Sequence, residues 1–230
     1  MCPQRSRLNA LAIVLASGWL SESVLLAQCE LQETATLPHP VGYWGQTVAV
    51  SGDTVVLGSQ YEHCENGYYC GAAHVYRRDG TSWVYDGKLV APDRADRDWF
   101  GFTVSVDAGL VVVSAPYTEC ESGADCGSAY VYRFEDGGWV FDQTLTASDA
   151  SQDDRFGASV SISGDLVVVG APDADCAAGP NCGAAYVFRF DGLAWVEEQK
   201  LTASDGMAYD VLGFSVSVSG KRRRCRSTVR

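Results

Sequence analysis

The sequence predicts an all-β protein of propeller-type blades, each a sheet of four antiparallel strands, arranged as an incomplete propeller. Three observations predict it: anchors that recur every 56 residues, strand-like apolar periodicity inside each unit, and turn residues at matching places in every copy. Trp44-Gly45, Phe100-Gly101, Phe156-Gly157 and Leu212-Gly213 keep that step, as do Trp83, Trp139 and Trp195. So do the cysteines at 64, 120 and 176, with partners at 70, 126 and 182. Chance does not hold unrelated anchors in one register, so the chain is a tandem array.

Within one unit the elements follow in order. Ala158 to Ile162 alternates apolar and polar, a first strand with one buried face, and Ser163-Gly164-Asp165 turns it. Leu166 to Ala171 is apolar without alternation, as a strand covered on both faces would be, and Pro172 ends its ladder because it has no N–H to donate. Ala184 to Phe190 forms the third strand, Asp191-Gly192 turns it, and Ala194 to Leu201 makes the fourth around Trp195. Earlier copies begin at Thr47-Val48-Ala49-Val50 and Thr103-Val104-Ser105-Val106; Ser215-Val216-Ser217-Val218 reads as the first strand of a fourth copy. Small residues at Gly170-Ala171 and Gly183-Ala184-Ala185 suit sheets that approach closely face to face. A β-sandwich of duplicated hairpins is the rival, but a sandwich does not require identical spacing in every strand pair.

Around this array the chain divides into residues 1–27, a signal peptide; 28–40, a linker; 41–220, about three blades and a first strand; and 221–230, a basic non-repeat tail. The leader has Arg5 and Arg7, an apolar run from Ala10 to Leu20 too short to span a bilayer, and small residues before Ala27. Leu26-Ala27-Gln28-Cys29 offers lipid anchoring at Cys29 as a second reading, although Gln28 stands where a lipoprotein box wants a small residue. No later segment reads as a membrane span, so the expected location is secreted or cell-surface. The tail KRRRCRSTVR breaks the repeat mid-hairpin and reads as a truncated or frame-shifted end.

The formal charge of −12 hides an asymmetry: residues 28–220 hold 28 Asp and Glu against 9 Lys and Arg, whereas 221–230 carry +6. A body that acidic repels nucleic acid and anionic lipid, which leaves cations, neutral glycans and proteins as partners. The pairs Cys64 with Cys70, Cys120 with Cys126 and Cys176 with Cys182 fall between second and third strands and read as local disulfides in an exported protein. Each closed loop is worth roughly 2 kcal/mol in the chain-entropy model. A zinc or redox centre is the alternative, but zinc usually gathers two close pairs or histidines, and His39, His63 and His74 do not repeat.

Phe156-Gly157, Gly170-Ala171-Pro172 and Gly183-Ala184-Ala185-Tyr186-Val187-Phe188 together resemble the FG-GAP repeat, which is similar to the blades of the integrin α-subunit head. Residues 100–101 with Ser114-Ala115-Pro116 keep the pattern, and Trp44-Gly45 with Gly58-Ser59-Gln60 has drifted from it. The resemblance implies a propeller, seven-bladed in the family, that is extracellular and used for binding. Family blades that hold calcium insert an Asp-rich loop between first and second strands. Here that place holds Ser51-Gly52-Asp53, Asp107-Ala108-Gly109 and Ser163-Gly164-Asp165, too few carboxylates for the six to eight oxygens calcium prefers, so that site is not transferred.

Another acidic pair does repeat, ahead of each Phe-Gly position: Asp93 with Asp98, Asp149 with Asp154, Asp205 with Asp210. Its plain reading is turn chemistry, carboxylates accepting backbone N–H bonds; a weak calcium site stands beside it. No nucleophile-and-base pair, Gly-x-Ser-x-Gly turn, phosphate loop or His-Glu-x-x-His run occurs, so no catalytic residue is assigned. The expected function is a non-catalytic extracellular binding or adhesion module that meets a protein or glycan through its loops, with Tyr68 and Tyr69 exposed. The alternatives are a propeller domain of an extracellular enzyme such as a polysaccharide-acting hydrolase, and a surface-layer scaffold that self-associates through exposed blade edges.

Overall fold

The computed structural model describes residues 47–65 and 67–220; the leader, the linker, Cys29 and the basic tail lie outside the described residues. Within them the chain forms twelve strands and no helix. β1 (Thr47–Ser51), β2 (Thr54–Ser59), β3 (Ala72–Asp79) and β4 (Ser82–Leu89) make one sheet. β5 (Val104–Asp107), β6 (Leu110–Ala115), β7 (Ser128–Glu135) and β8 (Gly138–Leu145) make the second, and β9 (Ser159–Ser163), β10 (Leu166–Ala171), β11 (Ala184–Phe190) and β12 (Trp195–Leu201) the third. Each sheet is antiparallel with its strands in chain order. Register repeats as well: Val56 faces Val75, Val112 faces Val131 and Val168 faces Val187. A bulge then falls between Val75 and Tyr76, Val131 and Tyr132, and Val187 and Phe188.

The apolar cores lie between successive sheets, which is the arrangement of blades and not of one sandwich. Val56, Val75 and Leu89 of the first sheet close on Phe100, Val104 and Tyr130 of the second. Val112, Val131 and Leu145 of the second close on Phe156, Val169 and Tyr186 of the third. The middle strands of the second sheet, β6 and β7, therefore contribute to two cores, one from each face, and the unbroken apolar run of β6 follows from that; β10 faces a core only through Val167, Val169 and Ala171.

The Phe-Gly step has a steric reason. Phe156 is fully buried, its ring 5.4 Å from that of Tyr186 and 5.9 Å from that of Phe188. At Gly101, φ is 89° and an added Cβ would lie 2.2 Å from the Ala72 carbonyl oxygen of the preceding sheet. Gly170 needs the same room, because its Cβ would meet the Gly213 carbonyl oxygen at 1.9 Å. Ser114 replaces glycine at this place in the second sheet and uses its hydroxyl to accept the Thr103 N–H at 3.0 Å.

Residues 215–218 form no strand. They lie beside β9 as β9 lies beside β5: Val218 N–H donates to Ser161 Oγ at 3.1 Å, matching Ile162 N–H to Ser105 Oγ at 3.1 Å. A ladder needs a second strand, and the residues that follow Gly220 are outside those described. For the packing, Phe156→Ala is expected to lower stability by about 3–5 kcal/mol, read from denaturant midpoints. A loss under about 1 kcal/mol would mean that the ring does not hold the sheets together.

Candidate functional site

Antiparallel order places the turns between first and second and between third and fourth strands at one end of every sheet. The disulfide loops and the sheet-to-sheet connections share the other. There the loop of one sheet grips the connection into the next. Arg97, Trp99 and Phe100 N–H groups donate to Tyr68, Tyr69 and Cys70 carbonyls at 2.8, 3.0 and 3.1 Å. Asp153, Arg155 and Phe156 repeat this on Ala124, Asp125 and Cys126 at 3.0, 3.0 and 2.9 Å. The expected disulfides Cys64–Cys70, Cys120–Cys126 and Cys176–Cys182 are all formed, and each closes such a loop.

On this frame the first junction carries a band of rings. His63 lies 5.2 Å from both Tyr68 and Tyr69; Tyr61 lies 5.6 Å from Tyr69 and 5.4 Å from Trp99; Trp99 lies 4.6 Å from Tyr117. Phe102 flanks Trp99 and Tyr117 at 6.3 and 6.2 Å. Tyr68 is 65% exposed and Tyr69 38%, so the band reaches solvent. Carboxylates border it: Asp96 Oδ1 accepts the Tyr68 N–H at 2.6 Å, and Glu119 is exposed.

The band repeats only in part, although its backbone repeats: Tyr61 and Tyr117 stand 56 residues apart at one place in the register, which Asp173 takes in the third copy. One repeat on, Tyr68, Tyr69, Trp99 and Phe102 become Ala124, Asp125, Arg155 and Ala158; a further repeat on they are Pro180, Asn181, Val211 and Phe214. The left-handed backbone is retained throughout, with φ of 56° at Tyr69, 55° at Asp125 and 54° at Asn181. Asp and Asn tolerate that conformation, whereas a bulky ring incurs about 1–2 kcal/mol there. Tyr69 is thus a locally unfavourable residue that backbone geometry does not explain. Sequence reading reached Tyr68 and Tyr69 but missed His63, Tyr61, Trp99, Phe102 and Tyr117. For His63 and Trp99 the available signal was the departure from register, Glu119 and Asp175 or Arg155 and Val211 standing in the later copies; Tyr61 and Tyr117 share one place and Phe102 returns as Phe214, so recurrence alone does not mark them.

The repeated acidic pairs divide their work. Asp98, Asp154 and Asp210 each accept the N–H three residues upstream, from Ala95, Ser151 and Met207 at 2.6, 2.9 and 2.7 Å. Asp149 instead reaches the next sheet, accepting from the Tyr186 hydroxyl at 2.9 Å and from Lys200 Nζ at 2.7 Å. Burial opposes its charge, but those two bonds hold Asp149 below the usual carboxylate range. Tyr130 faces Asp93 in the same way, its buried hydroxyl near Asp93 and Ser128 without a well-directed bond to either. Asp205 and Asp210 are both exposed. Among the described residues no three His, Cys, Asp or Glu side chains gather as a metal cluster.

At the opposite end a cavity of about 920 Å³ opens between the second and third sheets, lined by Phe134, Phe190 and Trp195 with Arg133, Asp142 and Arg189. Its charges are taken up within the sheets: Arg133 pairs with Asp142, which also accepts Trp195 Nε1–H at 3.2 Å, and Arg189 pairs with Asp165 and Glu198 at 3.2 and 3.0 Å. The cavity offers apolar surface with a neutralised rim, whereas the ring band offers exposed rings beside Asp96, which lies 3.6 Å from Arg97, and the exposed Glu119.

Two measurements test these assignments. Burial raises Asp98 to about 6 against the Ala95 bond, with Asp93, Glu119 and Asp96 adding to the rise. The folded chain therefore binds more protons than the unfolded between about pH 4 and pH 6, and stability falls as pH rises through that window. Asp98→Asn, which keeps an acceptor for Ala95, is expected to gain on the order of 1 kcal/mol at pH 7 and to flatten the slope of Tm between pH 4 and 6. For the cation reading, turn-engaged carboxylates predict an unchanged Tm on calcium titration; a saturable rise, lost in Asp149→Asn, would establish a site.

A family model described as the FG-GAP repeat matches residues 83–132, 139–188 and 195–222, which together exceed half of the chain. The first two stretches each run from the fourth strand of one sheet through the third strand of the next, so the sequence unit is out of phase with the blade. Human integrin alpha-11 is 35% identical over 121 residues, 49% of this chain and 10% of that relative's length. Among solved structures, the computationally designed protein Ika4 aligns over 76% of this chain and 80% of its own, with 18% identity and a TM-score of 0.42. Sqt1 of Saccharomyces cerevisiae aligns over 72% of this chain and 36% of its own, with 11% identity and a TM-score of 0.43. The repeated sheets, the buried Phe-Gly steps and the family match lead to one conclusion: the chain belongs to the FG-GAP repeat family.

Proposed function

We propose that the chain is an extracellular, non-catalytic binding module of adhesion type, and that it meets its partner through the ring band between the first and second sheets. One observation carries the reading: the rings at 63, 68, 69 and 99 have no aromatic counterpart in the later copies, and they gather with Tyr61 and Tyr117 at a single junction where Tyr69 and Trp99 hold a left-handed backbone. Strain at an exposed ring, which the contact with Tyr61 only offsets, supports a functional surface. Three disulfides among the described residues favour an oxidising, extracellular setting. An enzymatic role is disfavoured because the repeated carboxylates already cap turns or anchor tyrosines, as Asp154 and Asp149 do. Among the described residues no helix is long and apolar enough to cross a membrane.

Tyr69→Asn tests this directly. Asparagine suits the left-handed backbone, so Tm is expected to stay level or rise, while binding to an array of matrix proteins and glycans falls at least about tenfold. Retained binding, or turnover of a polysaccharide on the array, would refute the module.

A scaffold role has one observation of its own. Val48 and Val50 are 67% and 65% exposed, whereas their counterparts Val104 and Val106, covered by the preceding sheet, are 9% and 8%. Copies stacking on that face would cover them. Concentration-dependent sedimentation abolished by Val48→Lys would support stacking; a single monomeric boundary at all concentrations would exclude it.

A further inference from the structure

We infer that the ligand of the ring band is an uncharged carbohydrate chain, a class that deepens the binding role proposed above and rests on it. The inference starts from the ring chemistry. The face of an aromatic ring is the negative side of its quadrupole, and a pyranose presents one face of slightly positive C–H groups with hydroxyls around its rim. Stacking therefore needs ring surface open to solvent, with acceptors beside it for the hydroxyls.

The band supplies both. Tyr68, Tyr69, Tyr61, Trp99 and Tyr117 form one cluster through edge-to-face and tilted contacts of 4.6 to 5.6 Å, with His63 bridging the first two, and Tyr68 and Tyr69 carry its exposed ring surface. Asp96 and Glu119 stand beside them as acceptors, and hydroxyls donating to carboxylates make charge-assisted bonds. Protein-binding patches concentrate rings but are depleted in Asp and Glu at their centre. This one has Asp96 and Glu119 beside its exposed rings, which suits a partner rich in hydroxyl donors.

Charge narrows the class. The excess of 28 acidic over 9 basic residues in 28–220 disfavours uronic and sulfated chains. A basic peptide would suit the overall field, but the chain already occupies the cation positions. Arg155 lies over Tyr117 at 5.3 Å and pairs with Asp173 at 3.1 Å, and Arg97 sits 3.6 Å from Asp96. What remains open is ring surface and acceptor oxygen, which fits a neutral sugar.

The surface is also preorganised. The Cys64–Cys70 disulfide and the Tyr68 and Tyr69 carbonyl bonds to Arg97 and Trp99 fix the loop, so little ordering is needed on binding.

Isothermal titration of the full chain with cellohexaose, chitohexaose and mannohexaose, beside hexalysine and a sulfated dextran oligomer, tests the class. The expected result is saturable binding of at least one neutral oligomer, weakened at least about tenfold by Tyr68→Ser, a solvent-side change that leaves Tm in place. Hexalysine or sulfated dextran binding through Tyr68 while no neutral oligomer binds would overturn the sugar class and leave the binding role standing. Neutral binding unaffected by Tyr68→Ser, or no band-dependent binding on the glycan panel or the protein array, would overturn it too; the last result would also remove the binding role.

Discussion

The fold depends on one contact, repeated: the hydrogen-bonded grip of each disulfide loop on the connection that leads into the next sheet, with the following phenylalanine driven between the sheets. At the second junction the Phe156 N–H donates to the Cys126 carbonyl at 2.9 Å, and the ring it carries is fully buried. Neither half suffices alone. A single four-stranded sheet has two apolar faces and can hide neither without neighbours. The backbone bonds set the distance and angle at which the neighbour arrives, and burial of the ring supplies most of the stabilisation. The glycine after the phenylalanine follows, because Gly101 sits where the backbone of the previous sheet leaves no room for a Cβ.

The same contact explains why the homologous unit and the blade are out of phase. A stretch that begins at Trp83 and ends at Tyr132 contains one junction whole, with the last strand of one sheet and the first three of the next. Trp139 and Trp195, which open the next two units, tie each unit to the one before it, since each indole N–H donates to an aspartate of the preceding sheet, Asp86 at 2.9 Å and Asp142 at 3.2 Å. What repeats in sequence is the joint, and the blade is what lies between two joints.

Most of the fold was legible from residue pattern because its determinants are local and periodic. Leu166–Ala171 and Ala184–Phe190 are strands at the bounds their apolar runs indicate, and the cysteine pairs close the loops their spacing suggests. The site was less legible for a physical reason. Asp149 finds Tyr186 across 37 positions and a sheet boundary, so its role is invisible until the sheets face each other. Tyr61, Trp99 and Tyr117 come from three separate segments and become one surface only after the junction forms. A search for recurrence finds scaffold, whereas function on a repeat scaffold resides where recurrence fails.

That principle gives the strained tyrosine its meaning. Positions 69, 125 and 181 share one backbone conformation, and two of them hold the residue types that conformation prefers. A tyrosine at the first could be retained only if its ring returned something comparable, and contact with Tyr61 at the band's edge returns part of it. Edge-to-face ring pairs contribute about 0.5–1.5 kcal/mol beyond area burial, similar in size to the strain, so folding alone is close to indifferent between tyrosine and asparagine at this place. Where folding is indifferent, the choice of an exposed ring falls to what the surface touches.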